Sequence, residues 1–257
     1  MGKLMANTFF NSDLLSGKTV VITGAGRGIG LEVATLMAQC GAKIIAHSGR
    51  QGTAKNLSEI SDSVFEADFT DTKSVSAFIE FVQTETSVID VLINNAGTML
   101  GRFVADELTS DQYQQLVNLN QTSVVQITSA LIPWLRQSRT ASIINTVSIS
   151  ATTGGSAGSS IYSATKAFIS TYTKALAREL ATDNIRANAV SPGTIATDFH
   201  KRYSSEQKLE LTRRSIPLQR LGTPEDCSPA YVFLSSEKLS GYITGQVIEI
   251  NGGQLII

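Results

Sequence analysis

Val20-Val21-Ile22-Thr23-Gly24-Ala25-Gly26-Arg27-Gly28-Ile29-Gly30 joins a β-branched run to a glycine-rich turn and then to an amphipathic stretch reaching Cys40. Glycine tolerates a sharp turn and a close backbone approach. A strand, such a turn and a helix in that order make the first half of a βαβ unit. The spacing is Gly-x-x-x-Gly-x-Gly, because a Gly-x-Gly-x-x-Gly pattern started at Gly24 would end on Ile29. Further apolar runs follow at Ile44–Ala46, Val64-Phe65, Val88–Ile93, Ile143-Ile144, Ile185–Val190 and Val247-Ile248. They are apolar almost throughout, as in strands covered on both faces. Helical stretches lie between them at Ser74–Glu85, Thr109–Ser138, Ser160–Thr182 and Pro224–Ser235. Strand and helix in alternation predict an α/β fold, one doubly wound domain over residues 1–257 with about seven parallel strands and helices on both faces. Residues 1–14 read as an N-terminal extension, and 195–220, helical and locally charged, as a substrate lid.

Composition narrows the function classes. The 257 residues carry 21 Lys+Arg and 22 Asp+Glu, a net charge of -1, with 42% apolar and only 17% charged residues. That balance excludes a disordered chain and gives no basic excess for nucleic acid. An ordinary domain has about 25% charge, so the deficit predicts extensive burial, in the core or against copies of the same chain. No apolar run reaches the roughly 18 residues of a membrane span. Cys40 and Cys227 are isolated, which predicts neither a zinc site nor a disulfide framework and suits a reducing, cytoplasmic compartment. His47 and His200 have no carboxylate cluster nearby, so no metal site is expected.

The glycine turn at a helix N-terminus predicts a dinucleotide site, since free N–H groups and the positive end of the helix dipole suit a pyrophosphate. An acidic residue ending the second strand would hold the ribose hydroxyls of NAD. Lys43–Gly52 contains none and reads His47-Ser48-Gly49-Arg50 instead, while Arg27 sits in the turn. Arginine matches phosphate as a charged fork, so NADP(H) is expected over NAD(H), with Arg27, Ser48 and Arg50 near its ribose phosphate. Tyr162 and Lys166, four apart, share one face of a helix. An ammonium beside a phenol lowers its pKa, making Tyr162 a usable acid. Ser148 follows a strand on the side where open α/β sheets bind ligands.

In this order the motifs resemble those of the short-chain dehydrogenase/reductases, in the branch with 3-oxoacyl-(acyl carrier protein) reductases and many sugar and alcohol dehydrogenases. The likeness runs from about Leu15 to Gly253. It rests on Thr23, Gly24, Gly28, Ile29 and Gly30, on Asn94-Asn95-Ala96-Gly97, on Ser148, Tyr162 and Lys166, on Pro192-Gly193, and on Arg220–Glu225 and Ile243–Gly253. It implies a Rossmann fold and hydride transfer between a nicotinamide and a carbonyl or secondary alcohol. It assigns Asn118, Ser148, Tyr162 and Lys166 as catalytic tetrad, with Tyr162 and Lys166 also touching the cofactor. Asp68 would contact the adenine, Asn95, Ala96 and Gly97 would lie beside the cofactor, and Pro192, Gly193, Ile195 and Thr197 would cup the nicotinamide. Ser148 stands 14 positions before Tyr162, one more than is common in the family, with Ser150 as the alternative. The extra residue is expected in the Gly154–Gly158 loop.

Two substrate classes stay open. An acidic acyl carrier would need basic residues at the mouth. Candidates are Arg136, Arg139, Lys174 and Arg178, with Lys201, Arg202, Lys208, Arg213, Arg214 and Arg220 of the lid. A small sugar, polyol or ketone is the other. Outside this class stands a non-catalytic NADP-binding scaffold or sensor. The long helices and the apolar end Leu255-Ile256-Ile257 match segments through which relatives form tetramers, so a homotetramer is expected.

Overall fold

Alternate residues of each strand enter different cores. Val20 and Ile22 face one apolar cluster and Val21 the other; Ile44 and Ala46 oppose Ile45, and Ile144 opposes Ile143 in the same way. Successive side chains point to opposite faces of a sheet, so an unbroken apolar run is what a strand between two layers of helices requires. The computed structural model describes residues 10–49 and 51–257.

The chain begins with β1 (Thr19–Ile22), α1 (Gly28–Gln39) and β2 (Lys43–Ser48), then β3 (Ser63–Glu66) and α2 (Thr72–Glu85). Next come β4 (Val91–Asn94), α3 (Ser110–Val117), α4 (Ser123–Leu135) and β5 (Ser142–Thr146). After these lie α5 (Ser150–Thr153), α6 (Ser160–Glu179), β6 (Arg186–Pro192), α7 (Asp198–Tyr203), α8 (Glu206–Ser215), α9 (Pro224–Ser235), α10 (Glu237–Ser240) and β7 (Val247–Ile250). The seven strands form one sheet in the order β3-β2-β1-β4-β5-β6-β7, and every pairing is parallel. This is the doubly wound arrangement read from the sequence.

Val33, Met37, Tyr231 and Val232 bring α1 and α9 onto one face. Phe78, Ile127, Leu131 and Leu176 bring α2, α4 and α6 onto the other. Each such side chain fully buried contributes about 1.5–3 kcal/mol. The strand order reverses between β1 and β4, and a ligand crevice opens at such a switch point, beyond the carboxyl ends of the strands.

One expectation changes. The stretch 109–138 is not one helix: a π-helical turn at Asn118–Thr122 separates α3 from α4. Such a turn re-aims side chains and frees a carbonyl. Here Asn120 Nδ2 donates to Leu116 O at 2.9 Å, closing the widened turn with a side chain.

Candidate active site

The glycine turn is held by the loop after β4. The backbone N–H groups of Asn95 and Ala96 both donate to Thr23 Oγ1 at 3.0 Å, and Asn95 Nδ2 donates to the carbonyls of Thr23 and Gly24 at 3.1 Å. A Cβ on Gly24, where φ is +68°, would stand 2.8 Å from Ala96 Cα; one on Gly30 would stand 2.2 Å from Gly24 O. These two glycines are thus required by packing within the protein. Gly28, at φ +56°, would meet nothing closer than Thr197 Cγ2 at 3.4 Å. The N-terminus of α1 has no capping side chain and no acidic residue in its first turn. By contrast α2, α3 and α8 are capped by Asp71, Thr109 and Ser205. Four helix N–H groups without intrahelical partners and a positive dipole end are what an anion would satisfy.

Gly28, Ile29 and Gly30 line a cavity of about 570 Å³ that runs from this turn to Lys208 of α8. That volume lies within the range of small-molecule and cofactor sites. Gly24, Arg27, Asp68, Asn95, Ala96, Gly97, Ser148, Tyr162, Lys166, Pro192, Gly193, Ile195 and Thr197 line it too. Bare helix N–H groups at one wall, with Asp68 and the Asn95–Gly97 loop beside them, fit an adenine dinucleotide.

Tyr162 lines the cavity, half-buried, and its hydroxyl bonds Ser148. Ser150 Oγ donates to Ser148 Oγ at 3.0 Å, so Ser148 is the serine beside the phenol and Ser150 supports it from behind. One helical turn along α6, Lys166 donates from Nζ to Thr146 O at 2.7 Å and lies 5.9 Å from the Tyr162 ring centroid. Burial pushes the Tyr162 phenol up to about 12, with the Ser148 bond opposing, and pushes the Lys166 ammonium down to about 8. The lowered phenol pKa expected from the neighbouring ammonium is therefore not what the protein alone provides, because desolvation outweighs it. Phe199 of α7 lies over this centre, its ring 5.9 Å from that of Tyr162 and 5.1 Å from that of Tyr203.

Two sequence assignments change. Asn118 does not join this cluster: its Nδ2 donates to Thr70 O and its Oδ1 accepts from Gln114. The π-helical turn brings Asn120 there instead. A Cβ on Gly97 would be 2.7 Å from Asn120 Oδ1 and 3.1 Å from Lys166 Nζ, so the two side chains flank the same glycine. Asn120 is completely buried, accepts from Thr98 N and donates to Thr98 O. The sequence holds two asparagines two residues apart, and the resemblance assigns the first of them. Ser48 is completely buried, with its hydroxyl 2.6 Å from Thr53 Oγ1; the cavity wall there is His47, Gly49 and Thr53. Arg50 lies outside the described residues.

His47, which the sequence marks only as unsuited to a metal, supports the turn. Its Nδ1 accepts from Gly24 N at 3.1 Å and its Nε2 is 2.9 Å from Ala67 O, which places the imidazole proton on Nε2. Burial holds it down to about 4, and its ring stacks on Phe69 at 3.7 Å.

The excursion over 195–220 carries α7 and α8, and its cations divide. Glu210 binds Arg213 and Arg214 at 2.7 and 2.8 Å, and Asp226 binds Arg220. Arg136 of the body is likewise paired with Asp183 at 2.8 Å. The basic surface expected for an acidic carrier is reduced accordingly. The side chains of His200 and Lys201 lie outside what is described.

A family model described as enoyl-(acyl carrier protein) reductase matches residues 24–254. The chain belongs to the short-chain dehydrogenase/reductase family. It is similar to 3-oxoacyl-(acyl-carrier-protein) reductases of Vibrio harveyi, 33% identical over 95% of this chain and 99% of that one, and of Chlamydia trachomatis, 36% identical over 94% and 99%. Among solved structures, an NADH-dependent reductase A1-R' responsible for alginate metabolism matches with TM-score 0.84 at 36% identity, over 95% of this chain and 99% of that chain. The 3-ketoacyl-(acyl-carrier-protein) reductase of Brucella melitensis complexed with NADH matches with TM-score 0.85 at 31% identity, over 94% and 100%. The family is one of oxidoreductases, and family members bind a nicotinamide cofactor, as the NADH complex shows.

Proposed function

We propose that this oxidoreductase transfers a hydride between NADP(H) and a carbonyl or secondary alcohol, in the manner of a 3-oxoacyl-(acyl-carrier-protein) reductase. The observation that carries this reading is the Tyr162 hydroxyl, bonded to Ser148 and one helical turn from Lys166, in the wall of a cavity that begins at the glycine turn. The nicotinamide, when bound, supplies the hydride. Tyr162 holds the proton that the carbonyl oxygen gains in reduction, and Ser148 orients that oxygen. Lys166, anchored on Thr146 O, keeps two N–H donors for a ribose and for proton exchange. Asn120 takes the place first given to Asn118, holding the loop after β4 against Lys166.

Three features support NADP(H): no acidic residue ends β2, Arg27 lines the cavity, and Arg50 follows Gly49. Arg27 Nη1 is 3.9 Å from Asp198, so a phosphate would compete with that carboxylate. Competitive titration tests it: NADPH should bind more tightly than NADH, and the reverse order refutes it. A carbonyl panel read by nicotinamide absorbance tests turnover, and no consumption on any member would favour the scaffold reading.

A small sugar, polyol or ketone is the second substrate reading. It draws on the pairing of Arg213, Arg214 and Arg220, which weakens a carrier-docking surface. Added salt should depress kcat/KM steeply on a carrier-linked substrate and leave a small ketone unchanged. We further infer a homotetramer in a reducing, cytoplasmic setting. Phe168 on α6 and the ends Ile256 and Ile257 are exposed apolar groups suited to subunit contact, Cys40 and Cys227 are buried thiols, and no described helix is long and apolar enough to cross a membrane. Light scattering that returns a monomer would refute the assembly.

A further inference from the structure

The substrate end of the cavity is unbalanced in charge. Arg102, Arg202 and Lys208 line it, whereas Asp68, the one acidic residue of the cavity wall among the described residues, sits at the cofactor end. Arg102 comes from the loop after β4 and Lys208 from α8, and both converge on Ser156 in the loop before α6. Arg102 Nη1 donates to Ser156 Oγ at 3.0 Å and Lys208 Nζ donates to the same oxygen at 3.1 Å. The two cationic nitrogens therefore lie within 6.1 Å of each other. Among the described residues neither has a carboxylate within ion-pair distance, although the neighbouring Arg213, Arg214 and Arg220 all do.

The hydrogen-bond count at Ser156 sharpens this. A hydroxyl has two lone pairs and one hydrogen. Both lone pairs of Ser156 Oγ are engaged by cations, so its hydrogen can only donate, and no described protein group accepts it. Arg102 holds its position through Nε to Tyr203 O and Nη1 to Ala157 O, which leaves the Nη2 edge of its guanidinium uncommitted. Lys208 keeps two further N–H donors. Burial lowers the Lys208 pKa, and the nearby Arg102 charge lowers it further. Converging donors of this kind match a carboxylate or phosphate.

We propose that Ser156, Arg102 and Lys208 form a subsite for an anionic group, so that the carbonyl substrate carries a carboxylate or phosphate apart from its reacting centre. This rests on the reductase reading above and specifies its substrate class. A carboxylate would belong to a small oxo acid, and a phosphate to the phosphopantetheine arm of a carrier. The extra residue between Ser148 and Tyr162 lengthens the segment that presents Ser156. Arg102 and Lys208 also tie the 195–220 excursion to the body, so an anion seated among them would draw that excursion down over the reacting carbonyl.

The test uses two substrate pairs matched in their reacting carbonyl: 5-oxohexanoate against its methyl ester, and acetoacetyl-4′-phosphopantetheine against acetoacetyl-pantetheine. In at least one pair the charged member should have the higher kcat/KM, by about tenfold and chiefly through KM. Lys208→Gln and Ser156→Ala should each collapse that ratio toward one. The pair that responds identifies the source of the anion. Ratios near one in both pairs, or variants that lower charged and uncharged members equally, overturn the proposal; equal losses would report a loosened lid. Should no carbonyl be turned over at all, the reductase reading fails and the subsite is tested by calorimetry with glutarate and with inorganic phosphate. Binding that is lost in Lys208→Gln supports the subsite, and no binding to the wild-type protein overturns it.

Discussion

The two ends of the cavity are built by opposite means. At the cofactor end the glycine turn is fixed by backbone and neutral side chains, with Arg27 and Asp68 on the surrounding wall: Gly24 and Gly30 are packed against Ala96, Asn95 and each other, and His47 is locked without charge beneath the turn. The substrate end carries long charged side chains at the surface, where Ser156 gathers Arg102 and Lys208; beside it Glu210 and Asp226 hold three arginines of the 195–220 excursion. A phosphate-binding turn must be rigid, and rigidity comes from contacts that leave no room for a Cβ. A mouth that admits substrate must open, and exposed ion pairs contribute little to stability and are readily rearranged. Damage at the first end should therefore appear as lost stability, and damage at the second as changed specificity.

The sharpest test lies where the two ends meet. Tyr162→Phe should lower kcat by about 10²–10⁴, the usual contribution of a positioned acid, while cofactor affinity by fluorescence titration stays almost unchanged. Undiminished turnover would remove Tyr162 from its role. Next in size is the protonation of His47. Its folded pKa, about 4, is depressed below the ordinary 6.5, so its contribution is present above pH 6.5 and is lost as the pH falls toward 4. The shift corresponds to on the order of 3 kcal/mol. Glu210 and Asp226, both held down to about 2, lose theirs only below their ordinary values near 4. Urea midpoints between pH 6.5 and 4.5 should thus fall in the wild-type protein and stay flatter in His47→Leu. Parallel curves would show that the turn does not depend on a neutral imidazole.

A smaller effect separates the two asparagines. Asn120→Ala leaves Thr98 and Leu116 groups buried without partners, at a cost of about 1–3 kcal/mol, and should also reduce turnover. Asn118→Ala, on the rim against Thr70, should cost less than about 1 kcal/mol and spare turnover. If Asn118→Ala is the inactive variant, Asn120 is not the asparagine of the site. At the bottom of the scale, Lys208→Gln should shift the urea midpoint by no more than about 0.5 kcal/mol equivalent, whatever it does to substrate choice. A larger loss would mean that the mouth is structural, as the glycine turn is.

What the residues alone determined is what depends on short contiguous segments. The seven apolar runs, the glycine turn between β1 and α1, and the pairing of Tyr162 with Lys166 one helical turn apart are each read within a few residues of chain, and the structure has each of them. The division of the 109–138 stretch is different. The resemblance points to Asn118, but a π-helical turn widens the helix by one residue there, and the contacts with Thr98 and Gly97 select Asn120. Tertiary structure also decided which arginines face a carboxylate, why Ser48 is a buried partner of Thr53, and that desolvation rather than an adjacent ammonium governs the phenol of Tyr162. Each of these turns on partners that remote segments bring together and on how far those segments exclude water, and neither quantity is a property of nearest neighbours along the chain.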